Sequence, residues 1–317
     1  MTPAREFRSV KKLLRKLISF KIVKLLLAAL ALSVILPLIF FYAVRPKPAE
    51  HINWGVNFSQ KYATELGLDW KQAYLAILDD LEPKYVRLVL YWDLAEPQPG
   101  RYNYNDMHWQ LGEAKKRDIK VILTIGRKVL RYPECHEPAW WRQSAAEPFR
   151  EAALLKYLER TVRELKSYDN IIMWQVENEP LYPFGECQKQ TNQTVIKEIA
   201  AVKNLDPRPI LVQDSGEGGL WRPIYLMGDY LGISMYRRTW YNFYKEITGI
   251  SFYFNYPLAH WTYKVKAVLT AVPTNKIIVT ELQGEPWGPV INSKLTKAEK
   301  DKTMSRQQFI DTISYAQ

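Results

Sequence analysis

The sequence predicts an α/β fold built on a parallel sheet, because from about residue 51 short apolar strand patterns alternate with amphipathic helical stretches. Two further observations shape the expectation. Two of the strand patterns close on a glutamate, and residues 25–44 form an uncharged apolar run near the N-terminus.

The strand candidates lie at 52–59, 85–92, 120–126, 171–177, 209–215, 230–236 and 276–282. Helix candidates fall between them at 70–81, 106–117, 147–167, 192–203 and 258–271, and residues 297–317 read as one more helix after the seventh strand. Within 147–167, Leu154, Leu155, Leu158, Val162 and Leu165 recur at helical spacing, with charged residues on the other side. That is the pattern of a helix packed by one face. There are no internal repeats.

At 317 residues the chain is long enough for one large domain with a full core. The net charge of +11 is unevenly placed: residues 1–24 hold eight Lys and Arg against Glu6, a net +7. The remainder has no basic stripe interleaved with aromatics, so no nucleic-acid partner is expected. Residues 1–24 read as a basic cytoplasmic tail and residues 25–44 as a transmembrane signal-anchor. The run matches the ~20 residues that cross a hydrocarbon core, and it exceeds the ~7–15 of a cleaved signal peptide. The positive-inside rule then places residue 45 onward outside the cytoplasm, on a single-pass membrane protein. Residues 45–50, with two prolines, read as a short stiff linker to a domain at 51–317.

The fourth strand candidate runs into Asn178-Glu179-Pro180, and the seventh contains Glu281 at its end. A charge at the end of a buried strand is costly unless it is paired or functional. Two of them suggest a facing carboxylate pair, the minimum equipment for cleaving a glycosidic bond. Arg87, in the middle of "YVRLVLYW", also needs a partner. Glu177, two residues before Glu179 and so on the same strand face, is a candidate for it.

Asn178-Glu179-Pro180 after the fourth strand, Thr280-Glu281 closing the seventh, and "EPQPGRYNY" after the second resemble the (β/α)8-barrel retaining glycoside hydrolases of clan A. That group contains cellulases, β-mannanases and β-galactosidases, and the resemblance runs from about residue 51 to the end of the chain. It implies a TIM barrel acting on β-linked oligo- or polysaccharides without metal or organic cofactor. It implies Glu179 as acid/base, Glu281 as nucleophile, Asn178 on the sugar 2-hydroxyl, and Arg87 and Tyr236 as partners of the nucleophile. Trp92 and Trp287, with Trp140, Trp141 and Trp240, are candidate sugar platforms on the rim.

Only seven strands are legible, so the expectation is a barrel cut short before strand 8. Cys135 and Cys187 follow the third and fourth strands, whose loops a barrel sets side by side, and are expected to pair. Two alternatives stay open: a transglycosylase using the same glutamates, and a non-catalytic, membrane-tethered carbohydrate-binding barrel. The sequence leaves sugar, linkage, endo or exo action and oligomeric state undefined.

Overall fold

The structure, a computed structural model, describes residues 20–39, 51–144, 146–241, 249–256, 259 and 261–317. The linker read at 45–50, residues 1–19 of the basic tail and residues 40–44 of the apolar run lie outside the described residues. A helix spans Phe20–Ile39, with mean hydropathy 2.6 over its most apolar stretch. It is long and apolar enough to cross a membrane, about 30 Å at 1.5 Å per residue. It takes in Lys21 and Lys24 in its first turns. This helix and the domain that follows belong to separate compact units.

Seven strands form one parallel sheet: β1 (Gly55–Asn57), β2 (Tyr85–Val89), β3 (Lys120–Ile125), β4 (Ile171–Val176), β5 (Ile210–Asp214), β6 (Tyr230–Met235) and β9 (Ile277–Leu282). They pair in the order β1-β2-β3-β4-β5-β6-β9, each neighbour parallel. This is a near-closed (β/α)8-type barrel lacking the eighth strand among the described residues. The two edges are linked by a side chain, Asn57 Nδ2 donating to Thr280 O at 2.9 Å. Burial tracks position in the sheet. The interior strand β5 is buried at all five residues, whereas Val279 on the edge strand β9 is 42% exposed.

Helices Trp70–Leu81, Asn105–Lys116, Glu147–Leu165 and Asn192–Lys203 stand close to their expected ranges. Helix Glu147–Leu165 buries Leu154, Tyr157, Leu158, Thr161, Val162 and Leu165, the face its periodicity marks. Each large apolar side chain withdrawn from water there contributes roughly 1.5–3 kcal/mol. Helix Thr262–Leu269 is shorter than the 258–271 expected, and residues 257, 258 and 260 lie outside the described residues.

Two features depart from expectation. Residues 297–317 form two helices, Lys297–Thr303 and Arg306–Ala316, because each start carries its own capping box, Thr296 with Glu299 and Ser305 with Gln308. An antiparallel hairpin, β7 (Arg238–Tyr241) with β8 (Phe252–Asn255), follows β6. Gln283, just past β9, fastens it: its Oε1 accepts from the backbone N–H of Arg237 and Arg238, both at 2.9 Å, and its Nε2 donates to Arg238 O at 2.6 Å.

Candidate active site

The C-terminal ends of the barrel strands carry the residues singled out in the sequence. Past Val176 the chain turns sharply, with Glu177 at φ 60° and Glu179 at φ 45°, a backbone region that side chains seldom adopt. The turn is held by the Glu177 carboxylate, which accepts from the backbone N–H of Arg127 at 2.9 Å and of Lys128 at 2.6 Å. Glu177 is therefore not the partner of Arg87. The approach demands glycine at 126, where φ is +135° and a Cβ would lie 2.5 Å from Glu177 Oε1.

Near Glu177 sits Glu198, fully buried on helix Asn192–Lys203, with Oε1 accepting from Gln190 Nε2 at 3.3 Å. Burial, then the Glu177 charge, pushes the Glu198 carboxyl well above its ordinary 4.5, which favours its protonated form. A raised folded value means this contribution to stability is complete below about pH 4.5 and fades as pH rises through the folded value. Glu198→Gln preserves a donor without a titrating group. Melting temperature measured against pH should fall less steeply on the alkaline side in that variant than in the parent.

Arg87, 4% exposed, fans its guanidinium from β2 across the ends of β4, β5 and β9. Nε donates to Gln175 Oε1 at 2.7 Å, and Nη2 donates to Asn178 Oδ1 at 2.8 Å and Gln213 Oε1 at 2.6 Å. Nη1 reaches Thr280 O and Glu281 Oε1, both at 3.3 Å. Glu281 Oε1 also accepts from Gln213 Nε2 at 2.6 Å, and its Oε2 accepts from Tyr236 Oη at 3.0 Å. Burial, and then the Glu281 charge, drives the Tyr236 phenol far above its ordinary value, so it remains a donor. Tyr236 is held through its own backbone N–H, which donates to Glu217 Oε1 at 2.9 Å.

Glu179 lives in a different environment. It is 6% exposed, and Ser234 Oγ donates to its Oε1 at 2.8 Å. Burial first, then the charges of Glu281 and Glu134, raises its carboxyl well above 4.5. Ser234 at the end of β6 and Tyr236 two residues on contact Glu179 and Glu281 respectively, so both carboxyl groups converge on this strand end. Lys128, 2% exposed, braces the loop below by donating to Glu179 O at 2.7 Å and Tyr182 O at 2.8 Å.

Cys135 and Cys187 form a disulfide, Cα–Cα 5.2 Å, joining the loop after β3 to the loop after β4. The 52-residue separation corresponds to about 4 kcal/mol of chain entropy. Reduction should lower the denaturant midpoint accordingly; an unchanged midpoint would remove the staple from the account.

The aromatic candidates divide. Trp287 meets Tyr236 edge-on at 5.3 Å and Phe184 at 5.5 Å, beside the carboxylates, and stays partly accessible. Trp92 is fully buried, stacked on Tyr157 at 4.9 Å with its indole N–H on Glu96, and offers no face to a sugar. The reason is the short helix Trp92–Ala95, which folds the residue back into the core. Trp141 is also buried, Trp140 donates to Glu96 O, and Trp240 packs on Tyr253 in the hairpin.

Sequence reasoning passed over Gln175, Gln213, Ser234, Lys128 and Glu134. Gln175 and Gln213 did carry a signal: each is an amide inside an apolar strand, a position that requires partners. Glu134 lies in an irregular loop, where solvated charge is the ordinary expectation. Among the described residues, no group of three or more His, Cys, Asp and Glu side chains is placed to hold a metal ion.

No protein-family model and no curated protein matches the sequence. By structure the chain is similar to the cold-adapted β-galactosidase from Rahnella sp. R3, with TM-score 0.51 and 12% identity over 80% of this chain and 48% of that one. It is also similar to the GH5_18 protein from Bifidobacterium longum subsp. longum ATCC 55813, with TM-score 0.45 and 17% identity over 58% of this chain and 50% of that one. An exo-β-1,4-mannosidase from Opitutaceae bacterium strain TAV5 gives TM-score 0.46 and 17% identity, over 58% and 38%. The chain spans about half, or less, of the length of these structures. The structural neighbours are glycoside hydrolases, and at 12% identity the likeness to the β-galactosidase is one of fold alone, that of a (β/α)8-type barrel.

Proposed function

We propose that this chain is a retaining β-glycosidase acting on oligo- or polysaccharides, with Glu281 as nucleophile and Glu179 as acid/base. One observation carries the reading: the environments of the two carboxyl groups are unequal. Glu281 accepts hydrogen bonds from Arg87, Gln213 and Tyr236, while Glu179 is buried beside two other carboxyl groups with one hydroxyl donor. A carboxyl group whose surroundings favour its protonated form suits the acid role, and one that accepts three hydrogen bonds suits the nucleophile.

In the first step the Glu179 proton passes to the glycosidic oxygen as Glu281 attacks the anomeric carbon, giving a glycosyl ester and a released alcohol. Glu179, now ionised, takes a proton from water, whose oxygen attacks the anomeric carbon and frees Glu281. Activity should fall as pH rises through the elevated Glu179 value, since the first step needs its proton.

The test is an aryl β-glycoside screen on the full chain in detergent, with the first-formed anomer followed by NMR. β-product from β-substrate supports the proposal; α-product contradicts it. In the cell, the helix Phe20–Ile39 would serve as a signal-anchor, holding a domain of residues 51–317 outside the cytoplasm.

A further inference from the structure

The loop after β3 carries Arg131 at the tip of a tight turn, with φ +85°. That conformation is costly for a side chain as large as arginine, and its surroundings fix it. The Arg131 carbonyl accepts from Glu134 N at 2.6 Å and from His136 Nε2 at 3.0 Å, and Cys135 ties the same loop to the loop after β4. His136 Nδ1 in turn accepts from Lys61 Nζ at 3.0 Å. From this tip the guanidinium reaches the loop after β9, where its Nη1 donates to Glu285 Oε1. It also lies 3.6 Å over the ring of Tyr62, on the helix Gln60–Glu65 that follows β1. Asn292 Nδ2 donates to Tyr62 Oη at 2.6 Å, so the loops after β1, β3 and β9 are joined at one point.

In the sheet order β3 and β9 stand four places apart, on opposite walls of a (β/α)8-type barrel. The Arg131–Glu285 pair therefore crosses the mouth of the barrel rather than following its rim. A second crossing starts from the neighbouring loop: Phe184, after β4, meets Trp287, after β9, edge-on at 5.5 Å. Trp287 rests on Tyr236, the donor to Glu281, and the Arg131 charge is felt at Tyr236. Both crossings are thus anchored beside the nucleophile. The carboxylate is correspondingly shielded, with the Glu281 side chain 15% exposed.

We infer that these crossings close the nucleophile's side of the site into a pocket for one terminal sugar, so that the substrate is a chain end with a free non-reducing terminus. This deepens the glycosidase reading and rests on it. The sugar esterified to Glu281 lies on the nucleophile's side, and the leaving group departs toward Glu179, which supplies its proton. A polymer cut internally would carry a further sugar on the esterified one. That sugar would have to run through the Arg131–Glu285 and Phe184–Trp287 contacts. Arg131 and Glu285 are both partly exposed, and an ion pair open to water adds little to folding. Its loss should therefore open the pocket without unfolding the domain.

The experiment gives the full chain a reducing-end-labelled β-linked tetrasaccharide of the sugar that the aryl-glycoside screen selects. A second compound is the same tetrasaccharide benzylated at the terminal hydroxyl where a further sugar would be attached. The parent should first release one sugar and a labelled trisaccharide, and should cleave the benzylated compound about 10²-fold more slowly in kcat/KM. Arg131→Ala and Glu285→Ala, with melting temperatures close to the parent's, should each narrow that ratio by about tenfold and yield labelled mono- and disaccharides among the first products. Glu285→Gln keeps an acceptor for Arg131 and should stay near the parent. A labelled mono- or disaccharide as the parent's first product would overturn the inference, and so would equal rates on the two compounds; neither result depends on a variant that folds. Folded alanine variants that keep the full discrimination would overturn it too. A chain that cleaves no aryl β-glycoside in the screen would remove the glycosidase reading itself, and the inference with it.

Discussion

Glu281→Ala is expected to lower kcat/KM by roughly 10⁴-fold or more on every substrate, because no group remains to form the glycosyl ester. Azide should restore turnover with inverted stereochemistry, the small anion entering from the side the carboxylate has vacated. Glu179→Ala should divide substrates by leaving group. Dinitrophenyl glycosides need no proton and should still glycosylate Glu281, whereas sugar leaving groups should slow by about 10²–10⁴-fold. Azide should then release a product of retained configuration. The opposite pattern would exchange the two roles, and no effect from either change would place the chemistry elsewhere.

Arg87→Met is expected to damage stability and activity together. The guanidinium joins Gln175, Asn178, Gln213 and Glu281 at strand ends from opposite sides of the barrel. Removing one partner of a buried ion pair costs about 3–5 kcal/mol, since the polar groups left behind stay withdrawn from water. The same change frees the Asn178 amide to rotate and takes a donor from Glu281. A misplacement of about 1 Å in a reacting group costs about 10²-fold in rate, and at least that is expected in kcat. Denaturant titration and steady-state kinetics on one preparation check both. A variant as stable as the parent would show that Arg87 is not the joint described here.

The fold was legible where burial forces periodicity. The interior strands β2 to β6 are largely apolar because they are buried on both faces, and helix Glu147–Leu165 shows its packed face in its spacing. Polar residues that interrupt those strands were the clearest pointers to the site, and the structure brings Arg87, Asn178, Glu179, Tyr236 and Glu281 to one barrel end. Loops carried no such signal. Whether a tryptophan just after a strand faces a cleft or the core depends on the next turn of chain, which is why Trp92 was misplaced while Trp287 lies beside Tyr236. The β7–β8 hairpin depends on Gln283, a contact across 45 residues that local pattern cannot contain. The two capping boxes near the C-terminus were visible as Thr296-x-x-Glu299 and Ser305-x-x-Gln308, and should have divided that segment.

The most direct test of the central claim is covalent trapping. The full chain is treated with a 2-deoxy-2-fluoro β-glycoside bearing a dinitrophenyl leaving group, of whichever sugar the aryl-glycoside screen selects, and its peptides are mapped by mass spectrometry. Stoichiometric label on Glu281, released on adding a sugar acceptor, is the predicted result. Label on another carboxylate, or none from an enzyme that cleaves the parent glycoside with inversion, would contradict it.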